Sequence, residues 1–174
     1  GVMNVAESMG IALEREDVER RVEHLMRLAA AHATPIPGAV EAIRAIAESG
    51  VAVGVISSAV YHPFLRWTLA RFGIEDQLAF VMTSASTGIY KSDPEIYRLA
   101  MREVDGDSSR SIHIGDSEKW DVWCAQQAGM KTVWFQNGHV DTLVDRQLEV
   151  APDHVVTSMA DVAPWVLATL EHHR

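Results

Sequence analysis

Two carboxylates, Asp116 and Asp121, follow an apolar run that ends in Gly115. A strand that stops at a glycine leaves the next side chain at the carboxyl edge of a parallel sheet, where α/β proteins bind their ligands. Carboxylates there suit Mg²⁺, which takes one or two protein carboxylates, several waters and substrate phosphate oxygens. The same residues also fit a plain strand-to-helix turn, in which Asp116 caps the helix and Asp121 is a first-turn acid.

Two further predicted strand ends carry polar side chains that suit phosphate. Ser57 and Ser58 follow the apolar run Val51 to Ile56, and Lys91 stands before a helix that begins at Pro94. A cation beside a helix N-terminus adds its charge to that of the free backbone N–H groups, so an anion meets both. Each residue also has a plainer interpretation, because the serines can cap the next helix and Lys91 can be a solvated loop charge. Their order along the chain and their comparable positions favour one shared site.

The elements that would position these residues alternate along the chain. Helical spacing of apolar residues predicts helices at 17–31, 38–50, 61–72, 94–104, 121–129 and 159–170. Short apolar and β-branched runs predict strands at 51–56, 79–82, 111–114, 131–135 and 154–156. This alternation predicts an α/β fold with a Rossmann-like, doubly wound parallel sheet.

Composition narrows the classes of function. The formal net charge is -9, from 15 basic and 24 acidic residues, and no Lys/Arg cluster appears, which argues against a nucleic-acid-binding surface. No apolar run approaches the roughly 18 residues of a membrane span, and no secretion signal is seen. The single cysteine, Cys124, excludes an internal disulfide and a Cys-based zinc site, and its predicted apolar helix favours a buried thiol. We therefore expect a cytosolic protein that acts on a small molecule.

Four stretches of the chain carry a family pattern. VGVISSA is an apolar strand that ends in Ser, YKSDPEIYRLA contains a Lys just before a helix, IHIGDSEKWDVWCAQQAGM contains Gly-Asp-x-x-x-x-Asp, and PDHVVTSMADV is a closing strand and helix. In this order and spacing the chain resembles the haloacid dehalogenase superfamily, in its phosphoglycolate-phosphatase-like and β-phosphoglucomutase-like branch. The matching stretches run from Ile36 to Glu171, roughly three quarters of the chain.

The resemblance implies an activity and a role for each candidate residue. The activity would be Mg²⁺-dependent phosphatase chemistry on a small phosphorylated metabolite, through an aspartyl-phosphate. Ser57 and Ser58 would hold the phosphoryl oxygens, and Lys91 would neutralise charge on the phosphoryl group and on the nucleophile. Asp116 would bind Mg²⁺ directly, and Asp121 would ligate the ion or orient its waters or Lys91.

One motif of the family is missing from the sequence. The family's first motif is an apolar strand ending in Asp-x-Asp, which supplies the nucleophile and a general acid/base, and nothing like it precedes Gly38. In this family that strand lies between the strands at Val51 and Ser111, so its absence predicts two unpaired edges and a wide apolar gap. We expect the nucleophile outside these 174 residues, on a preceding segment or another polypeptide, and the residues alone to be inactive. The third alternative is a non-catalytic relative with a rearranged sheet.

The resemblance also divides the chain and leaves two rival functions open. Residues 1–34 would be a partial helical cap, and 35–174 the α/β core. Ser92 stands where the family usually has Pro, and Ser58 stands where Asn is frequent. Trp120, just before the second acid, resembles the pattern of the dehalogenase branch. That branch attacks carbon, needs no metal and generally lacks an acid at the position of Asp116. The alternatives are therefore a 2-haloacid dehalogenase-like hydrolase and a catalytically inactive interaction module.

Overall fold

The computed structural model describes residues 2–138 and 151–171 and shows a mixed α/β architecture. The strands are β1 (Gly54–Ser57), β2 (Phe80–Thr83), β3 (Ile112–Gly115), β4 (Lys131–Phe135) and β5 (His154–Val156). The α-helices are α1 (Val2–Ser8), α2 (Arg15–His32), α3 (Ala39–Glu48), α4 (His62–Arg71), α5 (Ser84–Thr87), α6 (Glu95–Glu103), α7 (Cys124–Gln127) and α8 (Val162–Glu171). A π-helix, Glu118–Trp123, leads directly into α7, and short 3₁₀ turns occur at Glu75–Gln77, Ser108–Arg110 and Met159–Asp161.

Two predicted elements differ from the structure in an informative way. The strand predicted at 51–56 begins only at Gly54, because its partner β2 first pairs there, opposite Phe80. The helix predicted at 121–129 begins at Glu118, and its first part is a π-helix. The remaining predicted helices and strands are confirmed to within three residues at each end. The connection from β4 to β5 lies mostly outside the described residues.

The described strands form two parallel sheets rather than one. β1 pairs with β2, and β3, β4 and β5 form the other sheet in that order. A cavity of about 620 Å³ is lined by apolar side chains of both sheets, including Val55 and Ile56 on one side and Ile112 and Ile114 on the other. Within residues 2–138 and 151–171, no strand pairs with the second edge of β1 or of β3. The apolar gap that the sequence predicts between these strands is therefore present.

Helices cover both faces of the strands. On one face α3 and α8 pack against the second sheet, through a core cluster of Ala42, Ile46, Val133, Phe135, Val156, Val162, Ala163 and Val166. On the other face α6 and α7 share a second cluster of Ile96, Tyr97, Cys124, Ala125 and Ala128, against which Ile56 of β1 also packs. Burial raises the pKa of the Cys124 thiol to about 11, as expected for a structural cysteine. Because α6 contacts both sheets, it holds them together across the gap.

Helix α2 packs against α4. The guanidinium of Arg27 on α2 lies 4.0 Å from the ring centroid of Trp67 on α4, and Arg71 donates to the carbonyl of Ala33. The opposite side of α2 leaves Leu25 and Leu28 exposed. The division into a cap segment and a core stays a prediction. None of the helices described here is both long enough and apolar enough to cross a membrane.

Candidate active site

The predicted site residues follow the carboxyl ends of the strands. Ser57 is the last residue of β1, and Asp116 directly follows β3. Lys91 lies in the loop between α5 and α6. The strands within each sheet are parallel, so Ser57 lies at the carboxyl edge of one sheet and Asp116 directly follows that of the other.

Asp121 is the centre of a buried network at this edge. Its side chain is only 5% exposed, and its Oδ1 forms a salt bridge with the ammonium group of Lys91, which is 15% exposed. The same oxygen lies 3.0 Å from Nε2 of His113. The backbone N–H of Ser117 donates to Oδ2 at 3.1 Å. Lys91 is therefore not a solvated loop charge, and Asp121 is not simply a first-turn acid on a helix surface.

The local sequence explains how a carboxylate comes to lie against the strand. A Cβ added to Gly115 would come within 2.2 Å of Cγ of Asp121, so only glycine leaves room for this side chain. The backbone N–H groups of Asp121 and Val122 both donate to the carbonyl of Ser117, which widens the turn into a π-helix. The Ser117 hydroxyl caps this helix by accepting from the N–H of Trp120 at 3.0 Å. π-Helical turns are rare in proteins, and those that occur often lie at functional sites.

Burial and hydrogen bonding set the charges of the network. Burial alone raises the pKa of the Asp121 carboxyl, but the hydrogen bond from His113 and the charge of Lys91 outweigh it and hold the pKa below its usual range. Burial lowers the pKa of His113 by more than the neighbouring carboxylate raises it. The imidazole is therefore neutral near pH 7, and Nε2 carries the proton that it donates to Asp121. Lys91 supplies the positive charge.

Packing fixes the position of His113. The ring of Tyr97 on α6 meets the imidazole edge-on, with 4.8 Å between the ring centroids. The Tyr97 hydroxyl donates to the carbonyl of Trp120 in the π-helix, and burial raises the pKa of this phenol. Tyr97 thus contacts both β3, through His113, and the π-helix that carries Asp121, through Trp120.

Asp116 is held by two groups of β4 and the loop that follows it. The side-chain amide of Asn137 donates to Oδ2 at 3.0 Å, and the indole N–H of Trp134 donates to the main-chain carbonyl at 3.1 Å. Oδ1 of Asp116 has no partner among the residues that the structure describes. The helix cap here is Ser117, so the alternative interpretation of Asp116 as the cap is wrong.

The two serines lie apart from this network. The Ser57 hydroxyl accepts from the backbone N–H of Ala59 at 3.1 Å, and Ser58 is exposed. The N-cap of α4 is Tyr61, which makes no side-chain cap, so the serines do not cap that helix. In the described part of the chain, neither serine hydrogen-bonds to Lys91 or to the carboxylates of the network.

The sequence analysis missed several residues of the site, among them His113, Trp134 and Asn137. A signal for His113 existed, because strand alternation places it on the same side of β3 as Gly115 and therefore beside Asp121. No local pattern marks Trp134 or Asn137, whose contacts with Asp116 span 18 and 21 residues and depend on strand pairing.

The donor chemistry at Asp116 fits a magnesium ion. Mg²⁺ takes hard oxygen ligands and needs only one or two protein carboxylates beside waters and substrate oxygens. Oδ1 of Asp116, which has no partner in the described part of the chain, meets this requirement, whereas both oxygens of Asp121 already accept protein donors. Within the described ranges, no three His, Cys, Asp or Glu side chains cluster as a complete metal site. The structure therefore offers a partial site with one open carboxylate oxygen.

Comparison with known proteins gives a consistent family. Residues 3–135 match the family described as haloacid dehalogenase-like hydrolase. The chain is 29% identical over 137 residues to a glyceraldehyde 3-phosphate phosphatase of Pyrococcus furiosus, covering 78% of this chain and 54% of the relative. It is 27% identical over 173 residues to an (S)-2-haloacid dehalogenase of Pseudomonas fluorescens, covering 94% and 67%.

A solved structure supports the same assignment. The crystal structure of a 2-haloacid dehalogenase from Pseudomonas syringae pv. Tomato DC3000 matches with a TM-score of 0.64 and 28% identity, covering 79% of this chain and 55% of the other. The chain thus spans about half to two thirds of the length of these three relatives.

Proposed function

The chain belongs to the haloacid dehalogenase-like hydrolase family, and from this premise we propose that it is the α/β core of a Mg²⁺-dependent phosphatase that acts on a small phosphorylated metabolite. The observation that carries the proposal is the buried Lys91–Asp121 pair, together with Asp116 directly after the carboxyl end of β3. A fixed cation and a carboxylate that can bind a metal suit a phosphoryl group and the ion that accompanies it.

Each candidate residue has a role in this proposal. Lys91, held by Asp121, faces the negative charge of the phosphoryl group and stabilises it without reorganising during the reaction. Asp121 acts through Lys91 rather than as a direct metal ligand, because its oxygens are already engaged. Asp116 offers Oδ1 to Mg²⁺, and Ser57 and Ser58 at the end of β1 donate hydrogen bonds to phosphoryl oxygens. Bound Mg²⁺ would neutralise charge on the phosphoryl group and orient it.

The nucleophile would come from outside residues 1–174. The apolar cavity of about 620 Å³ between β1 and β3 has the lining that a buried strand requires. A strand lying parallel in this gap would satisfy both free edges, and its carboxyl end would lie between Ser57 and Asp116. A carboxylate at that end would attack phosphorus to give an aspartyl-phosphate, while a neighbouring acid protonates the departing alcohol. Water would then attack the same phosphorus and release phosphate.

The second candidate is hydrolysis of a 2-haloacid. It is supported by the (S)-2-haloacid dehalogenase relative, which aligns with 94% of this chain, and by Trp120 just before the buried acid. In that reaction the carboxylate would attack carbon and release halide, so no divalent cation would be required. The open oxygen of Asp116 favours the phosphatase.

Mg²⁺ dependence separates the two candidates. The test is to incubate the complete gene product with p-nitrophenyl phosphate, and separately with 2-chloropropionate, with MgCl₂ or with EDTA. We expect release of p-nitrophenol only with Mg²⁺, and its loss in the Asp116→Asn variant. Chloride release that EDTA does not affect would identify a dehalogenase instead. Inactivity on both substrates and on a panel of phosphorylated metabolites would favour the catalytically inactive module.

A further inference from the structure

Asp116 is fixed at two different atoms by groups that come from one neighbouring strand and its following loop. The indole of Trp134 holds the main-chain carbonyl, and the amide of Asn137 holds one oxygen of the side chain. Strand register explains the first contact, because Trp134 pairs with Gly115, the residue just before Asp116. Asn137 lies two residues beyond the end of β4, where the loop passes the carboxylate.

Asn137 hydrogen-bonds to only one of the two carboxylate oxygens of Asp116. Oδ2 accepts the amide N–H at 3.0 Å, whereas Oδ1 has no partner among the residues described. A carboxylate held in this way presents one oxygen rather than two. Mg²⁺ demands near-ideal octahedral geometry and takes such single oxygens, whereas Ca²⁺ accepts six to eight ligands and often binds both oxygens of one carboxylate.

We propose that Asn137 determines the cation preference of this site, by engaging Oδ2 of Asp116 so that the carboxylate binds through Oδ1 alone and favours Mg²⁺ over Ca²⁺. Trp134 has a different role, since it fixes the backbone of Asp116 and leaves both side-chain oxygens unaffected. The inference rests on the proposed Mg²⁺ site, but it concerns selectivity, which can be measured without turnover.

The test is calorimetric titration of the complete gene product with MgCl₂ and, separately, with CaCl₂. The informative variant is Asn137→Ala, and Gln136→Ala is the matched control, because both residues are exposed neighbours after β4. For Asn137→Ala we expect the Kd for Mg²⁺ to rise about tenfold, as is typical when a group that orients a metal ligand is removed. The Kd for Ca²⁺ should stay within about threefold of wild type or fall, because the carboxylate can then use both oxygens. Gln136→Ala should change neither value.

Trp134→Phe tests separately the contact with the backbone of Asp116. It removes the indole N–H but keeps a ring, so both cations should bind more weakly while the ratio of their Kd values stays the same. If Trp134→Phe shifted the ratio as Asn137→Ala does, selectivity would not come from Oδ2. If the ratio for Asn137→Ala matched that for Gln136→Ala while wild type bound Mg²⁺, the inference would fail and the proposed function would stand. If wild type bound no Mg²⁺, the proposed cofactor and this inference would both be overturned.

Discussion

The buried carboxylate of Asp121 positions the residues around it. It accepts hydrogen bonds from three donors and is almost completely shielded from solvent. Lys91 and His113 share one of its oxygens, and the backbone of Ser117 holds the other. An ionised carboxylate is costly to bury unless it is both paired and hydrogen-bonded, and here it is both. The position of Lys91 is therefore set by burial and charge together, which is how a side chain with a long flexible stem acquires one geometry.

Replacing Lys91 by Met tests this at the level of function and of stability. Lys91→Met should lower phosphatase turnover by about 10²- to 10³-fold, because a fixed cation facing developing charge is lost. It should also lower the free energy of unfolding by on the order of 3 kcal/mol, since Asp121 is left buried without its counter-charge. Turnover is measured with p-nitrophenyl phosphate and stability by urea denaturation. The control is Lys119→Met, which removes an ammonium lying over the ring of Trp120. Turnover of Lys91→Met within about threefold of wild type would contradict a catalytic role.

The buried imidazole of His113 predicts a pH dependence of stability. Its folded-state pKa is lowered by burial, so the unfolded chain takes up a proton as pH falls below the ordinary value of 6.5 while the folded chain resists it. The unfolded state then binds more protons, and the free energy of unfolding falls between pH 7.5 and pH 5.5. The side-chain amide of Gln in His113→Gln can still donate a hydrogen bond but does not titrate. The variant should therefore lose this part of the pH dependence of stability.

Urea denaturation at the two pH values measures the effect of His113. His154→Gln is the matched control, because His154 stacks on Trp165 away from Asp121. Equal pH slopes for wild type and His113→Gln would show that His113 is not held neutral by the fold.

At the scale of elements, β3 and the π-helix behave as one unit. The strand supplies His113 and the empty side of Gly115, and the π-helix folds Asp121 back into that space. Tyr97 on α6 contacts both parts, so the unit is also tied to the layer of helices. A strand and a helix that follow each other directly in sequence can therefore build a buried ionic site.

Gly115→Ala should disrupt this unit from within. The new Cβ would lie 2.2 Å from Cγ of Asp121, so the carboxylate must move and its contacts with Lys91 and His113 must lengthen. We expect a loss of about 1–3 kcal/mol in the free energy of unfolding, the usual cost of overpacking, together with a large loss of turnover. In the control Gly106→Ala, the nearest side-chain atom is Cγ2 of Val104 at 3.2 Å, so a smaller loss is expected. Equal effects of the two substitutions would count against a special role for Gly115.

At the scale of the whole molecule, the two sheets are held together by helices rather than by strand pairing. β1 and β3 line the same cavity of about 620 Å³, and α6 bridges them. Open strand edges and an apolar cleft favour association with another strand. The proposed strand in this gap would therefore complete both the sheet and the active site.

The test at this scale compares residues 1–174 with a longer polypeptide that also carries the proposed strand. Residues 1–174 alone should show no phosphatase activity and should self-associate, because the proposed nucleophile lies outside them and because, among the described strands, β1 and β3 each have one unpaired edge. The longer polypeptide should be active and form a single defined species. Size-exclusion chromatography and a p-nitrophenyl phosphate assay with Mg²⁺ decide between these outcomes. A monodisperse and active short form would place the nucleophile among the carboxylates already present.

The order of elements and the family were readable from the sequence because they depend on local patterns. Apolar spacing marked the helices and strands to within a few residues, and glycine followed by two spaced carboxylates marked the end of β3. The α/β fold and the family are confirmed. The strand at 51–56 was displaced because pairing with β2, rather than composition, sets where β1 begins.

Tertiary structure alone decided how the site residues relate to one another. The resemblance implied that Asp116 binds Mg²⁺ and left open whether Asp121 ligates the ion or orients its waters or Lys91. Folding buries Asp121 against Lys91 and His113, whereas Oδ1 of Asp116 has no partner among the described residues. Asn137 enters the site only because β4 pairs beside β3. Burial and long-range pairing determine which charges meet, and neither is encoded within a short window of sequence. The local sequence therefore identifies which residues can do chemistry, whereas tertiary packing determines the role of each one.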